Sequence, residues 1–293
     1  MFRNTNIFPP IKMPRSLNTN KSKKIQKTAG PESMSVGRSK KSANPEYLTD
    51  LTLVIDLDNT LICTFKKPKE GDLDFLRSPK YMTLRPRIYH KKIRIYERED
   101  DGTLIRPTNY REYEFWGVKR PYVTEFLHYC HKAFKYIIVW SAGCYDYVHT
   151  IVKELFKDLD FEPDLIYTGL DTTFDNTLGT IKPLMRIIQE NPELELSLKK
   201  MVILDDTRST FEITNYDNGL FIPGYQPSCD PESMLKDDQC LLQAIQKLIL
   251  PEVVECYDIR KVDLKNTFDI PAEEYAAQIE ICCRKGKCTQ KKK

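Results

Sequence analysis

Apolar residues along the chain fall into continuous, helical and alternating patterns. Three short runs are nearly continuous: Leu51–Ile55 (LTLVI), Tyr136–Trp140 (YIIVW) and Met201–Leu204 (MVIL). Runs of this length that lack a solvent-facing alternation predict strands covered on both faces, as in a parallel sheet. Between and after them, apolar residues recur at helical spacing. Val123, Phe126, Leu127, Cys130 and Phe134 make one such set, and Val148, Ile151, Val152 and Leu155 a second. Leu184, Ile187 and Ile188 follow Pro183, a residue suited to a helix start, and Leu241, Leu242, Ile245 and Leu248 form a closing helix. Ala272–Cys283 predicts one more. Strict alternation occurs in Lys92–Glu97 (KIRIYE) and Arg111–Val118 (REYEFWGV), two strands joined by a long connection through Asp101-Gly102. Strands alternating with helices predict an α/β domain with a parallel sheet.

Each continuous run ends in polar residues. Asp56-Leu57-Asp58 closes the first, Ser141-Ala142-Gly143 the second and Asp205-Asp206 the third. Successive side chains of an extended segment point to opposite sides, so two acids one residue apart cannot both continue the strand direction. One carboxylate can then attack a phosphorus atom while the other handles the proton. Acids this close repel, which implies a divalent cation. Ser141 can donate to a phosphoryl oxygen, and Lys182, between Gly179-Thr180-Ile181 and Pro183, can neutralise phosphate and nucleophile charge. Strand ends carrying such groups build sites at the carboxyl edge of an open sheet. Taken singly, each also reads as an ordinary strand end, turn or solvated side chain.

In order, DLDNTL, the Ser141 strand end, Lys182 and Asp205-Asp206 resemble the four motifs of the haloacid dehalogenase superfamily. Lys119–Leu127, KRPYVTEFL, is similar to the KRPxVxEFL segment of the small C-terminal-domain phosphatases and their larger TFIIF-associated relative. The resemblance runs from about Leu51 to Leu250. It implies a Rossmann-like core with a parallel sheet, a small β flap formed by the alternating strands, and no large cap domain. It implies Asp56 as nucleophile and Asp58 as general acid and base, with Ser141 and Lys182 on the phosphate. Mg²⁺ would be held by Asp56, Asp58 (also through a main-chain carbonyl) and Asp206, with Asp205 and Thr60 in support. Tyr147 stands where these phosphatases carry a pocket aromatic, and Phe115 and Trp116 of the flap are further pocket candidates. The implied activity is Mg²⁺-dependent phosphoserine and phosphothreonine protein phosphatase through an aspartyl-phosphate. The polymerase II tail is one implied substrate.

The pattern is departed from at two places. Thr168-Gly169-Leu170-Asp171 stands where the family usually has Arg followed by an acid, so one charge-assisted phosphate contact is missing. Position 59 is Asn where Glu is usual. Two other readings compete: a non-catalytic binding module like the mitochondrial import-translocase subunit that uses the same domain, and a small-metabolite phosphatase.

Composition adds an organisation. The 293 residues carry a net charge of +3. Residues 1–46 hold ten Lys/Arg against two acids and residues 284–293 hold six basic residues and no acid, which leaves a net −11 between them. The expected layout is a disordered basic tail over 1–46, a phosphatase domain over 47–252 and an extension over 253–293 with a short helix and a basic end. Basic ends can touch nucleic acid, an anionic protein or a membrane surface, though the catalytic reading does not require it. No apolar run is long enough for a signal peptide or a membrane span, which predicts a nuclear or cytoplasmic protein that is not secreted. Nine scattered cysteines, Cys282, Cys283 and Cys288 among them, form no disulfide or zinc framework.

Overall fold

The computed structural model describes residues 47–99, 101–176, 179–211, 215–264 and 267–268, all within the compact unit Glu46–Lys293. Both basic ends and the helix expected over Ala272–Cys283 lie outside the described residues.

The described strands are β1 (Thr49–Ile55), β2 (Ile62–Lys66), β3 (Ile88–Tyr96), β4 (Tyr110–Lys119), β5 (Phe134–Trp140), β6 (Leu165–Tyr167), β7 (Thr173–Asp175), β8 (Gly179–Ile181), β9 (Met201–Asp205) and β10 (Gly219–Phe221). The described helices are α1 (Val123–Ala133), α2 (Tyr145–Phe156), α3 (Leu184–Glu190), α4 (Pro231–Leu235), α5 (Cys240–Leu248) and α6 (Pro251–Val254). A five-stranded sheet runs in the order β10-β9-β1-β5-β6 with every described pairing parallel. The three continuous apolar runs occupy its three middle positions. Val54, Ile138 and Ile203 are fully buried there, sharing a cluster with Trp140, Leu184 and Ile187. This is the Rossmann-like α/β core expected.

Phe134 departs from the helical set. Its backbone is extended, at φ −100° and ψ 145°, and its N–H donates to the Cys130 carbonyl to close α1. It opens β5 instead, paired with Thr49.

The alternating segments form a separate antiparallel sheet, β2-β4-β3. β4 is its central strand. One face meets α2, and on the other Trp116 and Val118 pack with Leu84, Tyr225 and Met234. α2 is tied to the sheet by Glu154, which meets Lys91 of β3 at 2.7 Å and Lys119 of β4 at 3.2 Å. Past residue 252 the described chain still packs against β1. Thr49 donates to the Val254 carbonyl at 2.9 Å and Ile259 is fully buried. Val253 and Leu264 are buried with it, at a spacing that follows no helical or strand period. Among the described residues no helix is long and apolar enough to cross a membrane.

Candidate active site

Register sets the site. Ile55 pairs with Val139 on one side and Leu204 on the other, so the carboxyl ends of β1, β5 and β9 finish together. Asp56 leaves β1 with its N–H donating to the Leu204 carbonyl at 3.0 Å, and Ser141 leaves β5 with its N–H donating to Tyr167. β1 has its neighbours inserted from later in the chain on both flanks, the topological position where open α/β sheets bind ligands.

The turn after Asp56 is tight. The Leu57 carbonyl accepts from the N–H groups of Thr60, Leu61 and Ile62. Asn59 takes a left-handed conformation at φ 60°, a region where Asn is several-fold enriched, and its carbonyl accepts from Tyr225. The departure at position 59 therefore suits the backbone it serves.

Lys182 is buried and reaches two acids, donating to Asp56 Oδ1 at 2.5 Å and to Asp205 Oδ2 at 2.7 Å. Its own main chain is fixed by Thr210 and Asn215. Burial alone would pull the ammonium pKa down. Asp205 and Asp56 outweigh it and hold the pKa above the ordinary lysine value, so the cation persists. Burial pushes the Asp56 carboxyl up to about 7, against the attraction of Lys182 and with Asp205 adding to the rise.

Asp56, Asp205 and Asp206 each offer a carboxylate oxygen, all within 4.8 Å of one another. Three hard oxygen donors around one ammonium suit a divalent cation such as Mg²⁺. The oxygens of Asp205 are already engaged, Oδ2 by Lys182 and Thr210 and Oδ1 by the Thr207 N–H. Asp56 and Asp206 are the residues that would hold the ion, with Asp205 anchoring Lys182. Asp206 is placed by its N–H, which donates to Thr60 Oγ1 at 3.2 Å. Burial pushes its carboxyl well above the usual range, and Asp56 and Asp205 push it further.

The Asp58 carboxylate lies outside that cluster. Its Oδ2 accepts from Ser141 at 3.4 Å and its Oδ1 from the Tyr147 hydroxyl at 2.5 Å. Burial raises its pKa against the hydrogen bond from Tyr147, the charge of Lys182 and the hydrogen bond from Ser141. The two acids of one turn therefore sit in different surroundings, one on an ammonium and one on hydroxyls.

Phe115 and Trp116, expected to line a pocket, are each 1% exposed. Phe115 meets the Tyr147 ring at 5.4 Å and Trp116 meets Phe65 at 4.7 Å. From Phe115 to Lys119 both faces of β4 are covered, so both rings are core. Tyr147 is likewise 1% exposed, and its hydroxyl is turned to Asp58. Thr168, at the place of the missing arginine, is buried, and its hydroxyl accepts from the Leu170 N–H while its own N–H donates to Asp171. Gly169 beside it packs backbone on backbone: a Cβ there would lie 2.7 Å from the Ala142 carbonyl oxygen.

Sequence reasoning missed Arg120. It is fully buried, holds Asp238 with two hydrogen bonds of 3.0 Å, and donates to the carbonyls of Thr60 and Pro223. Its place in the KRPYVTEFL segment, beside Lys119, was the available signal.

A family model described as NLI interacting factor-like phosphatase matches residues 51–260. Two solved structures are similar. One is Fcp1, an essential RNA polymerase II CTD phosphatase, at 16% identity and TM-score 0.44 over 69% of this chain and 50% of that one. The other is an arginine variant of fission yeast Fcp1 bound to beryllium fluoride, at 16% identity and TM-score 0.44 over 71% of this chain and 51% of that one. The chain thus spans about half the length of these solved relatives. No curated protein matches it.

Proposed function

The chain belongs to the NLI interacting factor-like phosphatases, and from that premise we propose an Mg²⁺-dependent phosphoserine and phosphothreonine protein phosphatase that works through an aspartyl-phosphate at Asp56. The observation that carries this reading is the split environment of Asp56 and Asp58 on one turn, with Lys182 on the first and Ser141 on the second. An Asp56 oxygen attacks phosphorus and the P–O bond to the serine or threonine breaks. Asp58 gives its proton to the leaving oxygen. Water then attacks the phosphoryl group, Asp58 takes its proton, the P–O bond to Asp56 breaks, and phosphate leaves. Lys182 keeps positive charge at the nucleophile throughout. A bound Mg²⁺ supplies charge neutralisation for the phosphoryl oxygens and favours the ionised form of Asp56. The three-stranded flap in place of a large cap supports a peptide over an enclosed metabolite, and the polymerase II tail is one such substrate.

The test is acid-quenched turnover of labelled phosphopeptides with Mg²⁺. Label should be trapped on Asp56, and Asp56→Asn should abolish the trap and lower kcat by about a thousandfold or more, because it removes the nucleophile. Full activity in that variant ends the mechanism. A metabolite hydrolysed orders of magnitude faster than every phosphopeptide ends the protein-substrate reading.

A further inference from the structure

Behind Asp58 runs a file of hydroxyls drawn from three elements, two of them buried and that of Thr64 half-buried. Tyr147 Oη of α2 donates to Asp58 Oδ1 at 2.5 Å, Thr64 Oγ1 of β2 lies 2.7 Å from that same Oη, and Tyr89 Oη of β3 lies 2.6 Å from Thr64 Oγ1. Tyr147 and Tyr89 are 1% and 4% exposed. The directions follow by counting protons, since each hydroxyl has one to give. Tyr147 spends its proton on Asp58, so Thr64 turns its own toward Tyr147 and Asp58, both of which it meets, and Tyr89 gives its proton to Thr64. Every bond in the file points toward the carboxylate. β4 makes room for it: a Cβ on Gly117 would lie 2.3 Å from Tyr89 Oη and 2.5 Å from the Cys63 carbonyl oxygen. Burial raises the hydroxyl pKa of both tyrosines well above the ordinary value, which keeps them donors.

We infer that Tyr147, backed by Thr64 and Tyr89 of the flap, is the positioning residue for the general acid: its 2.5 Å bond reserves Asp58 Oδ1 as an acceptor and thereby assigns proton delivery to Oδ2, where the contact from Ser141 is the longer one at 3.4 Å. This deepens the phosphatase reading and rests on it. It also gives the flap sheet a part in the chemistry, because two of the three hydroxyls belong to it. Tyr147 is then no substrate-pocket aromatic.

Leaving-group dependence separates positioning from mere support. A phosphoserine peptide expels an alkoxide and needs the proton, whereas p-nitrophenyl phosphate expels a stable phenolate and scarcely needs it. For either substrate, kcat/KM reports phosphoryl transfer to Asp56 and not the later hydrolysis that uses Asp58 as base. Tyr147→Phe should lower kcat/KM on the peptide by about tenfold or more, a share of the hundredfold or greater contribution typical of a general acid. Its kcat/KM on p-nitrophenyl phosphate should change by less than about threefold. Thr64→Val should show the same asymmetry in smaller measure, and Thr64→Ser, which keeps the hydroxyl, should restore it. In the wild type, the Tyr147 hydroxyl proton should give a downfield NMR resonance that Tyr147→Phe removes and Thr64→Val shifts. Equal loss of kcat/KM on both substrates, or no change on either, overturns the inference while leaving the phosphatase reading in place. A wild type that hydrolyses neither substrate with Mg²⁺ overturns that reading, and the inference with it.

Discussion

At the scale of single residues, Asp206 shows the tension between stability and chemistry. Without a cation beside it, its carboxylate is buried against Asp56 and Asp205, and all three effects raise its pKa. An acid whose folded pKa exceeds its unfolded one opposes folding wherever the unfolded chain would be ionised, above about pH 4. Asp206→Ala should therefore be more stable than wild type in chelator at pH 7, by on the order of 1 kcal/mol. The gain should vanish as the pH falls below 4. The same substitution removes a ligand, so the rise in melting temperature that Mg²⁺ gives the wild type should be lost, and turnover should fall by about tenfold or more. Thermal melts with Mg²⁺ or chelator at several pH values check both halves. The acids were legible in sequence because strand-end carboxylates are local. The Tyr147 bond to Asp58 spans 89 residues and the Lys182 bond to Asp56 spans 126. No local pattern distinguishes a tyrosine that lines a cleft from one that turns inward.

At the scale of elements, Glu154 joins α2 to the flap. Burial pushes its carboxyl up, but Lys91, Lys157 and Lys119 outweigh that and bring it down to about 2. A depressed folded pKa contributes stability that is present above the unfolded value of about 4.5 and is lost as the pH falls toward 2. Glu154→Gln should cost about 2–3 kcal/mol at pH 7, and the gap from wild type should close between about pH 4.5 and 2. Urea denaturation across that range measures it. Element boundaries were less legible than element types. β1 begins at Thr49 and β5 at Phe134 because those residues pair with each other, a fact of backbone register that hydrophobicity does not encode. β6, β8 and β10 have three residues each, too short to carry a period.

For the whole molecule, the covered middle of the large sheet carries much of the stability. Ile138→Ala empties a fully buried site beside Val54 and Ile203. It should cost about 2–5 kcal/mol, the range for an aliphatic core truncation. The kcat per folded molecule should stay near wild type, as the cavity lies beneath the strand ends and not at them. Denaturant titration paired with active-site counting tests this. The fold class was legible because buried parallel strands read as continuous apolar runs. The burial of Phe115–Lys119 of β4 on both faces was not, since alternation in REYEFWGV suggests one wet face and only the packing of α2 and Tyr225 covers it.

The strand order has a consequence in time. β1 is made early, yet Thr52 of β1 pairs with Met201, which is translated about 150 residues later, a wait of roughly 8–30 s at common rates of synthesis. Through that interval the nascent chain carries an apolar strand with a bare hydrogen-bonding edge, the kind of template that recruits neighbouring chains. The strand that bears the nucleophile is thus also the segment most in need of a chaperone while the ribosome finishes its partner.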